Sequence, residues 1–403
     1  MDMEARVDWE ALPGDLVGSI GELLSVSSRI RCRAVCRSWR AAIRPEAAMP
    51  SPWVVIPRVI GCSDSFTFLS IPTMKSLQWT PPGGERMRCV GSNAGWLAVV
   101  TLVDLVVRMS LVNPLTDARI DIPTSFCRLG WALDPYLEEL TLDSTIRKVA
   151  FAVAPSPNSA HDYTIAAVLV GGRKVAYGRG RGGVSDPWLG VAEIPRPPGG
   201  DGMPVQVDVA YHDGKLYYME VCGQVWVVDM AAPSPSPAPF ANLVPPVVPH
   251  LAHRRRGFYL ACSDDGALHV LWTRSSHDGT NRDDPDMLVR RYDPVSSAWE
   301  KLKPDGLGGA AFLIGDINQS VSVRDRDGVG SCLCPDSVYF TNTPLCLLLD
   351  HRLYCYRDHG AWVFDVATGH IDWQITADYD HPAPALSRPE HWCRSLWLTP
   401  RAQ

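Results

Sequence analysis

The sequence predicts a mainly β chain with a small helical block in front of it. Apolar residues recur at helical spacing near the start of the chain, and little helical periodicity follows residue 50. Beyond that point, short runs of β-branched and aromatic residues alternate with Gly, Pro, Asn and Asp, which is typical of many short strands. The 34 prolines and 32 glycines among 403 residues supply the turns that such strands need.

The helical block has an apolar stripe at positions i, i+4, i+7 and i+8, which is one face of a helix. The stripe consists of Leu16, Ile20, Leu23 and Leu24. Val35, Trp39 and Ile43 repeat the pattern at i, i+4 and i+8. Two or three helices of this length cannot bury all their apolar surface among themselves. We therefore expect the block, over residues 8–48, to rest on a partner.

Two short sequence elements recur in the β part of the chain. The first is a turn that opens a strand, found at 93–97, 213–216, 265–268 and 350–353. The second is an Asx turn, and the four Asx residues that begin it are Asn113, Asp229, Asp293 and Asp365. Strand–turn–strand units repeated in this way are typical of β-propeller blades. We predict a propeller-like domain of six or seven blades over residues 53–400, with a β-sandwich as the alternative.

The gaps between these elements leave room for further blades. We expect one blade to start at Trp53 and another to use Ile165–Val170 with Lys174–Tyr177. The Pro-rich segment Ala231–Pro249 carries no signal of a packed core and is predicted to be an exposed loop. The 14 tryptophans are expected to pack mostly between blades, where a large flat side chain fills the layer between sheets.

Composition excludes several functional classes. A formal net charge of -6 and a pI near 6.0 argue against a general nucleic-acid or anionic-membrane binder. No apolar run is long enough to span a bilayer. The start Met1-Asp2-Met3-Glu4 is acidic and is not a signal peptide, so we expect a cytoplasmic or nuclear protein that is not secreted.

The 12 cysteines show no Cys-x-x-Cys pair, which is the spacing that a zinc site would need. We expect them to act mainly as small apolar side chains, and we expect no metal and no cofactor.

Enzyme chemistry is not supported by the sequence. A Gly-x-Ser-x-Gly elbow, a P-loop and an evident carboxylate pair are all missing from it. The run Gly178–Gly183 contains two arginines and could cradle an anion, but a flexible loop between strands is the better interpretation.

The helical block resembles the F-box motif of substrate receptors in Skp–cullin–F-box (SCF) ubiquitin ligases. The matching residues include Leu12-Pro13, Asp15-Leu16 and the ending Val35-Cys36-Arg37-Ser38-Trp39-Arg40. In that family the block binds a Skp-type adaptor, which links it to a cullin scaffold. The resemblance implies that seven residues face the adaptor: Leu12, Pro13, Leu16, Ile20, Leu24, Ile30 and Val35.

The rest of the chain resembles the plant F-box family that carries domain of unknown function 295. The resemblance rests on Asn113-Pro114-Leu115-Thr116, Phe312-Leu313-Ile314-Gly315, Cys334–Thr341 and the closing Trp397-Leu398-Thr399-Pro400. In that family this part resembles a kelch-like propeller and is taken to recruit a substrate.

These resemblances imply a non-catalytic substrate receptor that binds the adaptor through the helical block and an unknown target protein through the propeller. Two alternatives remain. The chain could be an adaptor-binding regulator that supports no ubiquitylation. It could instead be a ligand-binding propeller protein or a hydrolase, which would need a carboxylate pair or an aromatic cleft at the propeller axis.

Overall fold

A computed structural model gives the arrangement of the following residues: 9–24, 28, 32–33, 35–43, 52–57, 62–71, 76–103, 106–124, 146–154, 162–169, 174–181, 187–193, 208–220, 223–242, 258–273, 287–302, 306–324, 333–341, 360–368, 371–376 and 396–399. The predicted domain bounds 8–48 and 53–400 stay predictions. Ile30 lies outside the described residues.

The helical block contains a 3-10 turn and two described α-helices. The turn is Trp9–Ala11, helix α1 is Gly14–Leu23 and helix α2 is Arg37–Ala42. Ser28, Cys32 and Arg33, between the two helices, are also helical. The predicted helical character of this segment is confirmed.

The first three blades of the β domain follow in chain order. Blade 1 contains β1 (Trp53–Pro57), β2 (Phe66–Ser70) and β3 (Ser76–Trp79), after which a 3-10 turn spans Pro82–Gly84. Blade 2 contains β4 (Arg88–Asn93), β5 (Trp96–Val103), β6 (Val106–Asn113) and β7 (Ala118–Ile122). Blade 3 contains β8 (Ile146–Ala154), β9 (Asp162–Leu169), β10 (Lys174–Arg181) and β11 (Trp188–Glu193).

Three more blades complete the ring. Blade 4 contains β12 (Asp208–His212), β13 (Lys215–Met219), β14 (Gln224–Asp229) and β15 (Pro237–Asn242). Blade 5 contains β16 (Phe258–Cys262), β17 (Leu268–Thr273), β18 (Met287–Asp293) and β19 (Ala298–Lys301). Blade 6 contains β20 (Ala310–Gly315), β21 (Val321–Arg324), β22 (Ser337–Thr341), β23 (Gly360–Asp365) and β24 (Ile371–Thr376).

A last strand, β25 (Leu396–Leu398), closes the ring by pairing with β1 of blade 1. The pairing is antiparallel and sets Trp53 opposite Leu398. The chain thus forms a six-bladed β-propeller, which confirms the predicted class and fixes the blade number within the predicted range. The β-sandwich alternative is wrong. The two blades predicted at Trp53 and at Ile165–Tyr177 are present as blades 1 and 3.

Blade 6 departs from the simple up-and-down order. Its five strands lie in the order β21-β20-β22-β23-β24, and β20 runs parallel to β22. The segment between β20 and β21 crosses the propeller axis, where Ile317, Asn318 and Gln319 are buried.

The predicted Asx turns close the hairpins between the last two strands of four blades. The carboxylate of Asp293 accepts hydrogen bonds from the backbone N–H groups of Val295 (3.0 Å) and Ser296 (3.1 Å). The side chains of Asn113 and Asp365 accept equivalent pairs of bonds, and Asp229 accepts one. These hydrogen bonds hold the backbone in a tight turn directly after the strand. The repeated Asx residues therefore mark where strands end.

A buried ion pair connects the blades at the axis. The Nζ of Lys148 on β8 donates to Oδ1 of Asp208 on β12, and both side chains are at most 4% exposed. Lys148 also donates to the carbonyl of Gly315 in blade 6 (3.3 Å). The second carboxylate oxygen of Asp208 accepts from the backbone N–H of Leu260 in blade 5 (2.6 Å). Two side chains therefore tie together four blades.

Further axial hydrogen bonds join the remaining blades. The indole N–H of Trp397 on β25 donates to the carbonyl of Ile314 (2.9 Å). Asn93 on β4 donates to the carbonyl of Phe151 on β8 (2.6 Å), and Gln319 accepts from the Phe151 N–H (3.0 Å). Every blade is thus connected to another blade by a hydrogen bond that involves a side chain, as well as by packing.

Apolar cores fill the spaces between neighbouring sheets. Trp53, Trp96 and Trp397 are almost fully buried, as predicted for tryptophans that pack between blades. Trp53 stacks on Phe68 with ring centroids 5.9 Å apart.

Two loop predictions are wrong in part. The Pro-rich segment contains β15, which lies at the outer edge of blade 4. Proline is tolerated there because an edge strand has one row of N–H groups without a ladder partner. Similarly, Gly178–Arg181 completes β10 rather than starting a loop. A Cβ at Gly180 would lie only 2.6 Å from the Tyr163 hydroxyl, so glycine is needed for close packing.

We predict that breaking the axial ion pair destabilises the propeller strongly. Lys148→Met leaves the Asp208 carboxylate buried without its cation, which should lower the free energy of unfolding by about 3–5 kcal/mol. The control is Lys174→Met, which removes the exposed pair with Glu193 (3.0 Å) and should cost less than about 1 kcal/mol. Chemical denaturation of both variants checks this, and equal effects would contradict the axial role of Lys148.

We also predict acid sensitivity from His269 on β17. Its Nδ1 lies 3.1 Å from the Ala267 carbonyl oxygen and its ring packs edge-on against Phe312 at 5.0 Å. Burial lowers its pKa from 6.5 to about 4, so between these values the unfolded chain binds a proton that the folded chain does not. Stability from this group is present above pH 6.5 and falls by about 3 kcal/mol as the pH drops to 4.

His269→Gln removes this titration without adding a charge. Denaturation curves at several pH values should therefore show wild type losing more stability than the variant between pH 6.5 and 4. If the stabilities of the two proteins fell equally between pH 6.5 and 4, the folded state would not keep His269 neutral in that range.

Candidate functional site: an exposed apolar face on the helical block

Helix α1 has a face of small residues that packs against α2. Gly14, Gly18 and Gly21 lie at i, i+4 and i+7 on this face, with Val17 beside them. A Cβ at Gly18 would lie 3.4 Å from the Ala42 carbonyl oxygen, and one at Gly21 would lie 3.1 Å from a side-chain carbon of Ile43. Val17 and Ile43 are buried. The missing side chains allow the two helices to approach closely.

The opposite face of α1 carries the large apolar side chains, and it is exposed. Leu16 is 52% exposed, Ile20 38% and Leu23 88%. Trp9 and Val35 are also more than half exposed. A helix normally turns its apolar stripe toward its own core, so an outward stripe indicates a surface that another molecule covers. We call these five residues the apolar docking face.

The docking face is concentrated in one small part of the molecule. Among the described residues, four large apolar side chains are exposed outside it: Val106, Leu189, Val191 and Val295. These four lie in three different blades of the propeller. The helical block therefore carries more than half of the exposed large apolar side chains in a few tens of residues.

The ending of the F-box-like motif holds the block together. The indole N–H of Trp39 donates to the backbone carbonyl of Trp9 (3.0 Å), which fixes the first 3-10 turn beside α2. Arg33 donates to the Arg40 carbonyl (3.1 Å), and Arg40 donates from Nε to the Arg33 carbonyl (3.2 Å). The Sγ of Cys36 accepts from the Trp39 N–H at the start of α2. These residues position the docking face without being part of it, apart from Trp9.

The seven predicted adaptor-facing residues fall into three groups. Leu16, Ile20, Val35 and Pro13 are exposed, and the Pro13 carbonyl accepts from the Val17 N–H at the start of α1 (3.1 Å). Leu12 and Leu24 are half-buried. Ile30 lies outside the described residues. Their role in adaptor binding stays a prediction.

Two exposed residues were not among the predicted contacts. Leu23 belongs to the same helical stripe, and its position at i+7 from Leu16 could have pointed to it. Trp9 lies before the first helix, where periodicity gives no signal. Its backbone carbonyl accepts the hydrogen bond from the Trp39 indole, while its side chain is more than half exposed.

The propeller axis was the second place where a site could lie. Burial raises the pKa of Asp208, while Lys148 and the N–H groups of Leu260 and Val209 favour its ionised form. Both carboxylate oxygens of Asp208 are engaged by these groups. At the same end of the axis, the Tyr259 hydroxyl donates to Asp316 (2.9 Å), and burial raises the Tyr259 pKa well above its usual value. The axial groups thus bond to one another, which gives the hydrolase alternative no support.

The buried cysteines have the character of packing residues. Burial raises the pKa of both Cys89 and Cys262 to about 12, so these thiols stay protonated and unreactive. Within the described ranges, no three His, Cys, Asp or Glu side chains converge as a metal site would require. In the same ranges, no helix is long and apolar enough to cross a membrane.

Comparison with known proteins assigns family models to both parts of the chain. A model described as the KIB1-4 beta-propeller matches residues 68–370, and a model described as the F-box domain matches residues 9–46. The predicted F-box and the predicted plant F-box architecture with a C-terminal propeller are confirmed. The labels domain of unknown function 295 and kelch-like stay predictions.

Two Arabidopsis thaliana proteins are similar over shorter segments. F-box protein SKIP23 is 35% identical over 130 residues, which is 30% of this chain and 31% of that protein. F-box protein At2g05970 is 28% identical over 132 residues, which is 30% of this chain and 34% of that protein. The aligned segments therefore span about a third of each relative.

Solved structures give weaker matches. TolB from Acinetobacter baumannii aligns with a TM-score of 0.40 and 10% identity over 86% of this chain and 66% of that chain. A likeness at this level adds nothing to the description of the fold or its use.

We predict that the two faces of α1 respond oppositely to substitution. Gly21→Val places methyl groups against Ile43 and should destabilise the helical block by about 1–3 kcal/mol through overpacking. Leu23→Ala removes a side chain that is 88% exposed and should change stability little. Hydrogen exchange measures both effects at the backbone amides of Arg40 in α2 and Ile43 at its C-terminal end, which donate to the carbonyls of Cys36 and Trp39. Equal protection in the two variants would contradict the assignment of the faces.

Proposed function

We propose that this chain, which belongs to the KIB1-4 β-propeller family and carries an F-box domain, is the substrate-recognition subunit of an SCF-type E3 ubiquitin ligase. The observation that carries the proposal is the apolar docking face on the helical block. In the proposed complex a Skp-type adaptor covers this face and connects the chain to a cullin scaffold. The same proposal places the chain in the cytoplasm or the nucleus.

Burial of the docking face would be the main favourable contribution to the proposed complex. Fully burying a Leu or Ile side chain contributes about 1.5–3 kcal/mol. Leu16, Ile20 and Leu23 lie on one side of a helix whose other side is already packed against α2. The adaptor can therefore dock without unfolding or rearranging the block, which keeps the cost of binding low.

The strand directions suggest where a target would bind. Lys148, Asp208 and Leu260 lie near the starts of β8, β12 and β16 and contact one another, so the inner strands run in the same direction. The short turns 94–95, 114–117, 213–214 and 294–297 consequently lie on one face of the propeller, which we call the turn face. Trp53 pairs with Leu398 at the turn face, so the chain from the helical block enters there.

The opposite face of the propeller is therefore the better position for a target. A target bound there would not compete with the adaptor for space near the chain entry. The chain itself would act without chemistry of its own, as a non-catalytic subunit. A bound target would receive ubiquitin because its lysines are held near the conjugating enzyme of the complex.

We predict that Leu16→Ala combined with Ile20→Ala weakens binding to a Skp-type adaptor at least about tenfold, since two buried side chains are truncated. Co-purification and titration with the purified adaptor measure this. Circular dichroism should show an unchanged helical block, because both side chains are exposed in the free chain.

Val295→Ala is the matched control, because Val295 is an apolar residue that is 93% exposed on a propeller turn. Its adaptor affinity should equal that of wild type. Failure of the intact chain to bind any Skp-type adaptor, or full binding by the double variant, would overturn the proposal. A chain that binds the adaptor but supports no target ubiquitylation in a reconstituted ligase would instead be a regulator.

A further inference from the structure

The basic side chains of this protein are nearly all arginine. The sequence contains 32 arginines and six lysines, and the lysines are Lys75, Lys148, Lys174, Lys215, Lys301 and Lys303. The first lysine comes at position 75, so the segment 9–46 that matches the F-box carries six arginines and no lysine.

The structure reduces the number of available lysine amines further. Lys148 is buried in the axial ion pair with Asp208. The Nζ of Lys174 lies 3.0 Å from a carboxylate oxygen of Glu193. Lys215 and Lys301 are exposed on the propeller.

Folding does not explain every arginine. Arg37 in the helical block, Arg108 on β6 and Arg324 on β21 are exposed. All three are surface positions, and Arg108 and Arg324 take part in the sheets through their backbones. In the part of the chain that the structure describes, none of the three side chains makes a hydrogen bond or a salt bridge, although the charge of Arg108 acts on the nearby Asp121 carboxylate. At such positions a lysine would be solvated equally well, because the planar fork of a guanidinium matters only where it binds a partner.

Arginine and lysine differ sharply in ubiquitin transfer. In that reaction a neutral lysine amine attacks the carbonyl carbon of the ubiquitin thioester on the conjugating enzyme. A C–N isopeptide bond forms, the C–S bond breaks, and the enzyme's cysteine leaves as a thiol with the proton that the amine loses. A guanidinium keeps its proton at all physiological pH values and cannot act as this nucleophile.

We propose that the arginine bias limits ubiquitin transfer to this chain itself by reducing the number of acceptor amines. The inference rests on the proposed function, because it concerns a chain that is held in one complex with the ubiquitin-loaded conjugating enzyme. In such a complex the receptor's own amines are present at a high effective concentration and compete with those of a target. Replacing lysine by arginine keeps the positive charge and the solubility while removing the acceptor.

The test introduces amines at these three exposed positions, where no side-chain hydrogen bond or salt bridge is lost. Arg37→Lys, Arg108→Lys and Arg324→Lys are made singly in the full chain, with Arg→Gln at the same positions as matched controls. Each protein is assembled with the Skp-type adaptor, cullin, conjugating enzyme and ubiquitin. Mass spectrometry then maps isopeptide-linked sites over time, with Lys301 as the internal reference. Adaptor binding is measured separately for every variant.

The expected result is ubiquitin on the introduced lysines at initial rates within about threefold of Lys301, since local accessibility is similar. The Gln variants should show no modification at those positions. Introduced lysines that stay unmodified in an assembled, active ligase would overturn the inference, whether or not Lys301 is modified. Failure of the wild-type chain to bind the adaptor would instead refute the proposed function. The failure of the inference and the failure of the proposed function are therefore distinguishable.

Discussion

The buried ion pair between Lys148 and Asp208 is the contact on which the arrangement of the propeller depends. It joins β8 to β12 directly, and through the Gly315 carbonyl and the Leu260 N–H it reaches blades 6 and 5. A buried pair of this kind gains little net stability over a well-packed apolar pair. It makes wrong arrangements costly, because any shift of one blade leaves a charge or a carbonyl without its partner. The pair thus fixes the register of the blades more than it raises the stability of the ring.

A ring locked at its axis has a consequence for function. The charged groups Lys148 and Asp208 are paired at the axis, and the segment between β20 and β21 fills the centre with buried Asn318 and Gln319. Interaction surfaces must then lie on the outside of the propeller and on the helical block. On that block the small face of α1 is already packed against α2, whereas the large apolar face is not covered. The contrast between an axis whose charged groups are paired with each other and one open apolar face is the physical basis of the proposed receptor role.

Part of this architecture could be predicted from the sequence because it depends on local chemistry. Asx turns such as the one at Asp293 are formed by residues two and three positions apart, so their spacing marks the strand ends directly. The helical stripe of Leu16, Ile20 and Leu23 is equally local. Periodicity gave no indication that this stripe faces solvent, because the same pattern is produced by a helix that packs on its own core. The glycines at 14, 18 and 21 were the missing signal, since they define the face that does pack.

Other features could not be predicted because they join distant residues. Lys148 and Asp208 are 60 positions apart, and nothing in either neighbourhood indicates a buried pair. The strand in the Pro-rich segment was missed because proline is unfavourable in most strands, and only the position of β15 at a sheet edge makes it acceptable. The position of Trp9 is fixed by a hydrogen bond from the Trp39 indole to its backbone carbonyl, and Trp39 is 30 residues away.

The central claim is that the helical block docks on an adaptor through its open apolar face while the propeller stays unchanged. Hydrogen exchange of the full chain, with and without a saturating Skp-type adaptor, tests it most directly. We expect added protection in residues 9–24 and 35–43 and unchanged exchange in the inner strands β4, β8, β12 and β16. Protection that appears in the propeller and spares the helical block would contradict the account.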